Sequence, residues 1–343
     1  MHLSEVRTAD EVRDFMTTPT EALVELMGRL SGDILVAGAG GKVGPELVET
    51  IMRADRSAGA RRRVSAVSLF WDPRAREHLQ ELGADVLDGD LSERRFLEAL
   101  PGAPFVVYMA GVKFGTAGDW RNSFHLNCIV PYLAGERFRE SSIVVFSSGN
   151  PYPLRRPAEG GCAENVPLAP RDVYGWSIVA RESAFATTAL CSPQQRLCLF
   201  RLQYAQHLCY GVLVDLAGMI WAGEPISLAV PAVNLVSQRD AIDVAIRALG
   251  RCANPAFVLN CGGPAALVRD VAERMARLMG REPRFGGPEG EAALLADDSL
   301  CVRTFGPRRD SVDNMVEAAA RWVMAGGETW GKPTLFGRVG KGY

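Results

Sequence analysis

Between residues 32 and 150 the chain alternates short apolar runs with stretches whose apolar positions recur every three or four residues. The run DILVA breaks into the glycines of GAGG, and KVGPELVETIMRA follows at helical spacing, which predicts strand, tight turn and helix. The alternation continues with RVSAVSLF as strand, RAREHLQELG as helix, ADVLDGD as strand, ERRFLEAL as helix and PFVVYMAG as strand. A helix through FHLNCIVPYLAGERF and a strand at SIVVFSSG complete it. Apolar strands of this length between amphipathic helices predict a parallel sheet covered on both faces, a doubly wound α/β domain. Beyond residue 150 the pattern loosens. VYGWSIVARESAFATTAL reads as a helix, QRLCLFRLQYA as one strand, and 265–279 and 310–324 as helices. The expected organisation is a helical extension over 1–31, broken at TTPT, a doubly wound domain over 32–200 and a smaller mixed lobe over 201–343.

Composition narrows the function. The 343 residues are 48% hydrophobic and 23% charged, enough for a large core. A formal net charge of −2 leaves no electrostatic footprint for nucleic acid or an anionic membrane, so the expected partner is a small molecule. The first 30 residues carry Glu5, Arg7, Asp10, Glu11, Arg13 and Asp14, and no segment is apolar for 18 residues. A cytosolic protein is expected. Eight scattered cysteines without a C-x-x-C pair or a histidine at metal spacing predict reduced thiols and no metal site. The basic residues are lopsided: only Lys42, Lys113, Lys332 and Lys341 are lysines.

Gly38, Gly41 and Gly44 stand three apart at a strand-to-helix junction. Such glycines allow a tight turn, a close approach of backbone to a pyrophosphate, and close packing of helix on strand, with the phosphates at the helix N-terminus. The expected cradle is Gly38, Gly41, Lys42, Val43 and Gly44. A P-loop needs Ser or Thr after Lys42, where Val43 stands instead. At the end of the second strand Ser68 is neutral where NAD would meet an acid, and Arg74 and Arg76 follow. This leans the cofactor from NAD towards NADP, the other reading of the arginines being a solvated helix face. Asp90 and Leu91 follow the third strand, where a carboxylate meets an adenine amino group or closes a surface turn.

With these features in order, the chain resembles the extended short-chain dehydrogenase/reductase superfamily, the branch of NAD-dependent epimerases and dehydratases. The resemblance rests on GAGGKVG (38–44), GDL (89–91), AGVKFG (110–115), Asn127, SSGNPY (147–152) and the helix of Tyr174. It runs on through VNLVSQRDAIDVA (233–245), FVLNCGGP (257–264) and LLADDSLCVRTFG (294–306). It implies a Rossmann domain holding NAD(P), with Ala110, Gly111, Lys113 and Asn127 near the cofactor, and a C-terminal lobe gripping a sugar or sugar nucleotide. It also implies a Ser/Tyr/Lys group, of which Ser148 matches the serine and Tyr174 the tyrosine. The lysine position falls on Ile178. The resemblance further implies Ser148, Asn150, Arg201, Gln203, His207 and Tyr210 as substrate ligands, and a homodimer built on helices near 118–140 and 174–190.

An ammonium one turn beyond a tyrosine shares its helix face and favours phenolate. An unperturbed tyrosine, with a pKa of about 10, is ionised in only about one molecule in a thousand at pH 7. Isoleucine supplies no such help. Lys113, at the lip after the fourth strand, is the candidate substitute; Arg181 is about 10 Å along the helix axis from Tyr174. Two readings follow: an oxidoreductase, epimerase or dehydratase of carbohydrate metabolism with Tyr174 as acid, or a catalytically retired dinucleotide-binding sensor or scaffold.

Overall fold

The computed structural model describes residues 3–113, 115–116, 118–332 and 334. Two helices, α1 (Ala9–Thr17) and α2 (Glu21–Arg29), come first; Thr8 and Thr20 cap them by accepting from amides three residues on. The chain then runs through β1 (Ile34–Ala37), α3 (Gly44–Ala58), β2 (Val64–Ser68), α4 (Pro73–Glu81), β3 (Asp85–Asp88), α5 (Arg94–Ala99) and β4 (Phe105–Tyr108). Next α6 (Trp120–Phe124) passes through a π turn at His125–Ile129 into α7 (Val130–Arg137), followed by β5 (Ser142–Ser148), α8 (Val173–Cys191) and β6 (Arg196–Leu202). The second half comprises β7 (Tyr204–Gln206), α9 (Val212–Ala222), β8 (Pro225–Ser227), β9 (Ala232–Ser237), α10 (Gln238–Arg247) and β10 (Phe257–Cys261). It ends with β11 (Ala265–Leu267), α11 (Val268–Met279), β12 (Arg284–Gly286), α12 (Ser299–Phe305) and α13 (Val312–Met324).

Seven parallel strands form the central sheet in the order β10-β6-β5-β4-β1-β2-β3. The alternation of side chains across a strand explains the apolar runs. Ile34 and Val36 enter one core with Val107 and Val144, while Leu35 and Ala37 enter another with Val106 and Ile143. The order reverses between β1 and β4, which opens a crevice outside their carboxyl ends.

Three features of the structure add to or change the sequence reading. The single strand expected over QRLCLFRLQYA divides at Gln203: β6 stays in the large sheet, whereas β7 pairs with β9 in a separate three-stranded sheet. The seventh strand of the large sheet, β10, comes from the later half and pairs with β6. The N-terminal helices are also not a loose appendage. Val12, Phe15 and Met16 of α1 enter the second-lobe core, and Leu23 and Met27 of α2 enter that of the sheet. Among the described residues no helix is long and apolar enough to cross a membrane, and no cluster of His, Cys, Asp or Glu is placed to hold a metal. All eight cysteines are free thiols.

Beneath the crevice the sheet buries one ion pair. Arg201 on β6 donates from Nε and Nη2 to both carboxylate oxygens of Glu182 on α8, at 2.9 and 2.7 Å, and from Nη1 to the Tyr152 hydroxyl at 2.7 Å. Both charged residues are about 95% buried. Their mutual pairing, not solvent, satisfies them, so removing one partner strands the other. Arg201→Leu is expected to lower the unfolding free energy by about 3–5 kcal/mol. Adding Glu182→Leu should recover at least half, as read by urea denaturation.

Candidate active site

The glycine loop closes the crevice at the switch between β1 and β4. Gly38 has φ 92°, and a Cβ there would lie 2.6 Å from the Ala110 amide nitrogen. A Cβ on Gly44 would lie 2.3 Å from the Ala39 carbonyl oxygen. Neither position admits a side chain. No side chain caps α3 at Val43, so its first-turn amides are left for an anion, with Pro45 at the start of the helix. This cradle fits the pyrophosphate of a dinucleotide. Gly41 keeps the turn tight by donating its amide to the Gly38 carbonyl.

The adenosine side is less provided for. Ser68, half-buried at the end of β2, lies against Gly40. Asp90 accepts from the amide of Ser92 at 2.8 Å and so closes its own turn, with Leu91 buried beside it. Arg74 is held by Asp72, the cap of α4, and Arg76 by Asp88. Each of the two arginines that leaned the sequence towards NADP is already matched by a local carboxylate.

The opposite lip is built around Asn127. Pro131 has no N–H to give the Asn127 carbonyl, and here the helix between α6 and α7 widens into its π turn. The wholly buried Asn127 side chain then treats the chain after β4 like a neighbouring strand. Its Oδ1 accepts from the Val112 amide at 3.0 Å, and its Nδ2 donates to the Val112 carbonyl at 2.8 Å and to Ser177 Oγ at 2.9 Å. Ser177 Oγ donates in turn to the Tyr174 carbonyl at 2.8 Å. The next residue, Lys113, puts its Nζ 5.9 Å from the ring centres of Tyr174 and Tyr204. Burial pushes Lys113 down to about 8, assisted by Lys42 and opposed by Asp172.

Tyr174 stands in the first turn of α8, whose cap Asp172 accepts from the Gly175 amide at 2.7 Å. Ile178 is 1% exposed. Ser148, at the end of β5, donates its hydroxyl to Asn150 Oδ1 at 2.9 Å and accepts from the Asn150 amide at 3.2 Å. It must turn from Asn150 to meet a ligand. Gln203 lies with its amide over Gly149, and among the described residues its buried Nε2 has no hydrogen-bond acceptor.

The remaining expected ligands face elsewhere. Arg201 is turned inward onto Glu182. His207 is buried, with Nδ1 accepting from the Cys209 amide, which leaves Nε2 to donate to Glu46 Oε1 at 2.9 Å. Tyr210 lies beneath Lys42, whose Nζ is 3.7 Å from the ring centre. Burial lowers Lys42 to about 8, reinforced by Lys332 and opposed by Asp215. Arg181 went unassigned because distance along the helix axis ignores its long side chain. Its guanidinium donates to Asn127 Oδ1 at 2.5 Å and to the Phe146 carbonyl at 2.9 Å, directly behind Gly111. The available signal was a cation on the face of α8 that turns inward.

No family profile matches the chain, and no curated protein matches it in sequence. Solved structures do. UDP-glucuronic acid 4-epimerase from Bacillus cereus, in complex with NAD, aligns with TM-score 0.68 at 17% identity over 85% of this chain and 98% of its own. The same Bacillus cereus enzyme is also known with both UDP-glucuronic acid and NAD bound. Thermus thermophilus UDP-glucose 4-epimerase, in complex with NAD, aligns with TM-score 0.68 at 16% identity over 84% and 97%. A UDP-galactose 4-epimerase aligns with TM-score 0.66 at 21% identity over 85% and 98%. With the glycine cradle, the crevice and the tyrosine helix in place, the chain has the fold of these UDP-sugar 4-epimerases.

Proposed function

We propose that the protein is a dinucleotide-dependent enzyme that acts on a hydroxyl or keto group of a sugar nucleotide, with Tyr174 as the proton-transfer residue. The observation that carries the reading is Lys113, whose ammonium faces the ring of Tyr174 from the loop after β4 while Ile178 fills the usual lysine position. NAD is favoured over NADP, because Arg74 and Arg76 are each taken by a carboxylate and solved neighbours hold NAD. Sugar nucleotides are favoured as substrates by the UDP-sugar neighbours and by Gln203, a buried amide donor beside Ser148 and Asn150 with no acceptor of its own.

When bound, the dinucleotide supplies a hydride acceptor and donor at the nicotinamide. The protein's part is the proton. Tyr174 takes it from a substrate hydroxyl during oxidation and returns it to the oxygen during reduction, while Ser148, released from Asn150, donates to the same oxygen. The Lys113 ammonium lies 5.9 Å from the centre of the Tyr174 ring, and a unit charge at roughly that range from a phenolate stabilises it by on the order of 2 kcal/mol at an effective dielectric of about 20. Lys113 therefore restores much of what Ile178 lacks. The alternative is a dinucleotide-binding sensor, favoured by the burial of Ile178 and by the turn of Ser148 onto Asn150; it binds without turnover.

We further propose a homodimer through α6, α7 and α8, where Trp120, Ile129, Tyr132, Trp176 and Leu190 are 40% exposed or more.

Substitutions, a pH profile and light scattering test these readings. With NAD and a panel of UDP-sugars, Tyr174→Phe should abolish turnover and leave dinucleotide affinity within about threefold; unchanged turnover would remove Tyr174 from the mechanism. Lys113→Met should lower the oxidative rate roughly 50-fold. In the wild type that rate should stop rising and fall above about pH 8, because Lys113 is cationic below that pH and neutral above it. Lys113→Arg keeps the charge, so its rate should go on rising. For the dimer, Ile129→Glu with Trp176→Glu should halve the mass found by light scattering.

A further inference from the structure

Glu328, Thr329, Trp330 and Lys332 share a cavity of about 540 Å³ with Gly40, Gly41 and Lys42 of the glycine loop. The segment is tied down along its length. The Glu328 carbonyl accepts from Trp322 Nε1 at 2.9 Å, and the Trp330 amide donates to the Cys209 carbonyl at 2.9 Å. Beyond them Thr334 donates from its amide and its hydroxyl to Asp215 Oδ2, at 2.8 and 2.5 Å.

The middle anchor matters for the site. The Trp330 indole stacks on His207 at 4.8 Å and on Tyr210 at 5.7 Å, with the two planes at 17° in the second pair. The Tyr210 ring in turn lies beneath the Lys42 ammonium. His207 is locked to Glu46 in the first turn of α3, and Glu46 also accepts from Gln238. One aromatic stack thus joins a segment some 290 residues downstream to the tip of the glycine loop.

A lysine at the tip of a turn ordinarily spreads over many rotamers. Lys42 instead rests on an aromatic face, which holds an ammonium without neutralising it. Three of the chain's four lysines meet around it: Lys332 lines the same cavity, and Lys113 stands across the crevice close enough to be perturbed by Lys42. Like charges gathered at the mouth of an anion cradle suit a ligand with two negative charges.

We propose that the segment Glu328–Lys332, with Thr334, is a strap that seats Lys42 on the pyrophosphate of a bound dinucleotide, with Trp330 as the positioning residue. The inference rests on the dinucleotide reading given above. Its pH signature follows from the groups around Lys42 and the stack beneath it, namely Lys332, Lys113, Asp215 and Tyr210, with His207 and its partner Glu46 on the far side of Trp330. Burial with Lys332 brings Lys42 to about 8, so the seated cation is present at pH 7 and lost by pH 9. Asp215 works against that lowering. Lys113 titrates in the same window and is present in every variant compared, so its contribution cancels.

The experiment is calorimetric titration of the full chain with NAD at pH 7 and pH 9, with thermal melts as the control for folding. Wild type should bind about tenfold more weakly at pH 9, the value of one charge-assisted phosphate contact. Trp330→Leu, which keeps apolar bulk but not the stacked face, should lose about tenfold at pH 7 and the share of the pH dependence that Lys42 supplies, leaving that of Lys113. Trp330→Phe should restore both. Lys42→Ala combined with Trp330→Leu should bind no worse than either alone. Wild-type affinity in Trp330→Leu, additive losses in the double variant, or tighter binding once the stack is removed would each overturn the strap and leave the dinucleotide reading standing. No NAD binding by the wild type would overturn both.

Discussion

The side chain of Asn127 satisfies both backbone groups of Val112, and the geometry of the site follows from that clasp. It lies in a π turn wholly out of solvent, so losing it would remove the partners of the half-buried Val112 N–H and carbonyl. With Val112 fixed, Lys113 is carried to the lip of the crevice opposite Tyr174. Through Ser177 the same amide reaches the first turn of α8, so the loop bearing the cation and the helix bearing the phenol share one support. Arg181 closes the arrangement from behind Gly111.

In the proposed mechanism, Lys113 supplies from the loop after β4 the charge that Ile178 does not. An ammonium on the helix one turn past Tyr174 would have to be solvated or matched where Ile178 is now packed at 1% exposure. Placed on the loop, the ammonium keeps a nearby carboxylate, Asp172, and faces the groove in which an anion would lie. Lys42 extends the same logic to the glycine loop. In a chain whose cations are mostly arginine, these two are the smaller, more readily deprotonated ammonium, so their charge responds to what fills the crevice.

The second lobe shows why polar residues near a cleft are poor guides when taken singly. Arg201, His207 and Tyr210 follow one another along the strand and turn that leave the sheet, yet each is absorbed by a partner from a distant part of the chain: Glu182, Glu46 and Trp330. Gln203 is different, because the chain changes sheets there and its amide emerges over Gly149 with no acceptor waiting. The split of the expected strand into β6 and β7 is therefore also what lays this buried donor against Gly149.

What the sequence determined by itself was everything set by local periodicity and steric demand. The strands and helices of the first half follow from apolar spacing, and the cradle follows from Gly38 and Gly44, because a turn that tight excludes a side chain whatever surrounds it. The absence of a lysine at 178 was legible for the same reason, since positions four apart on a helix share a face without help from elsewhere. The tertiary structure alone decided which charges face the crevice and which are matched inside. Asn127, Lys113, Arg181 and Trp330 acquire their roles from contacts across 15 to more than 100 residues, and hydrogen bonds and ring stacking at that separation leave no period in the chain.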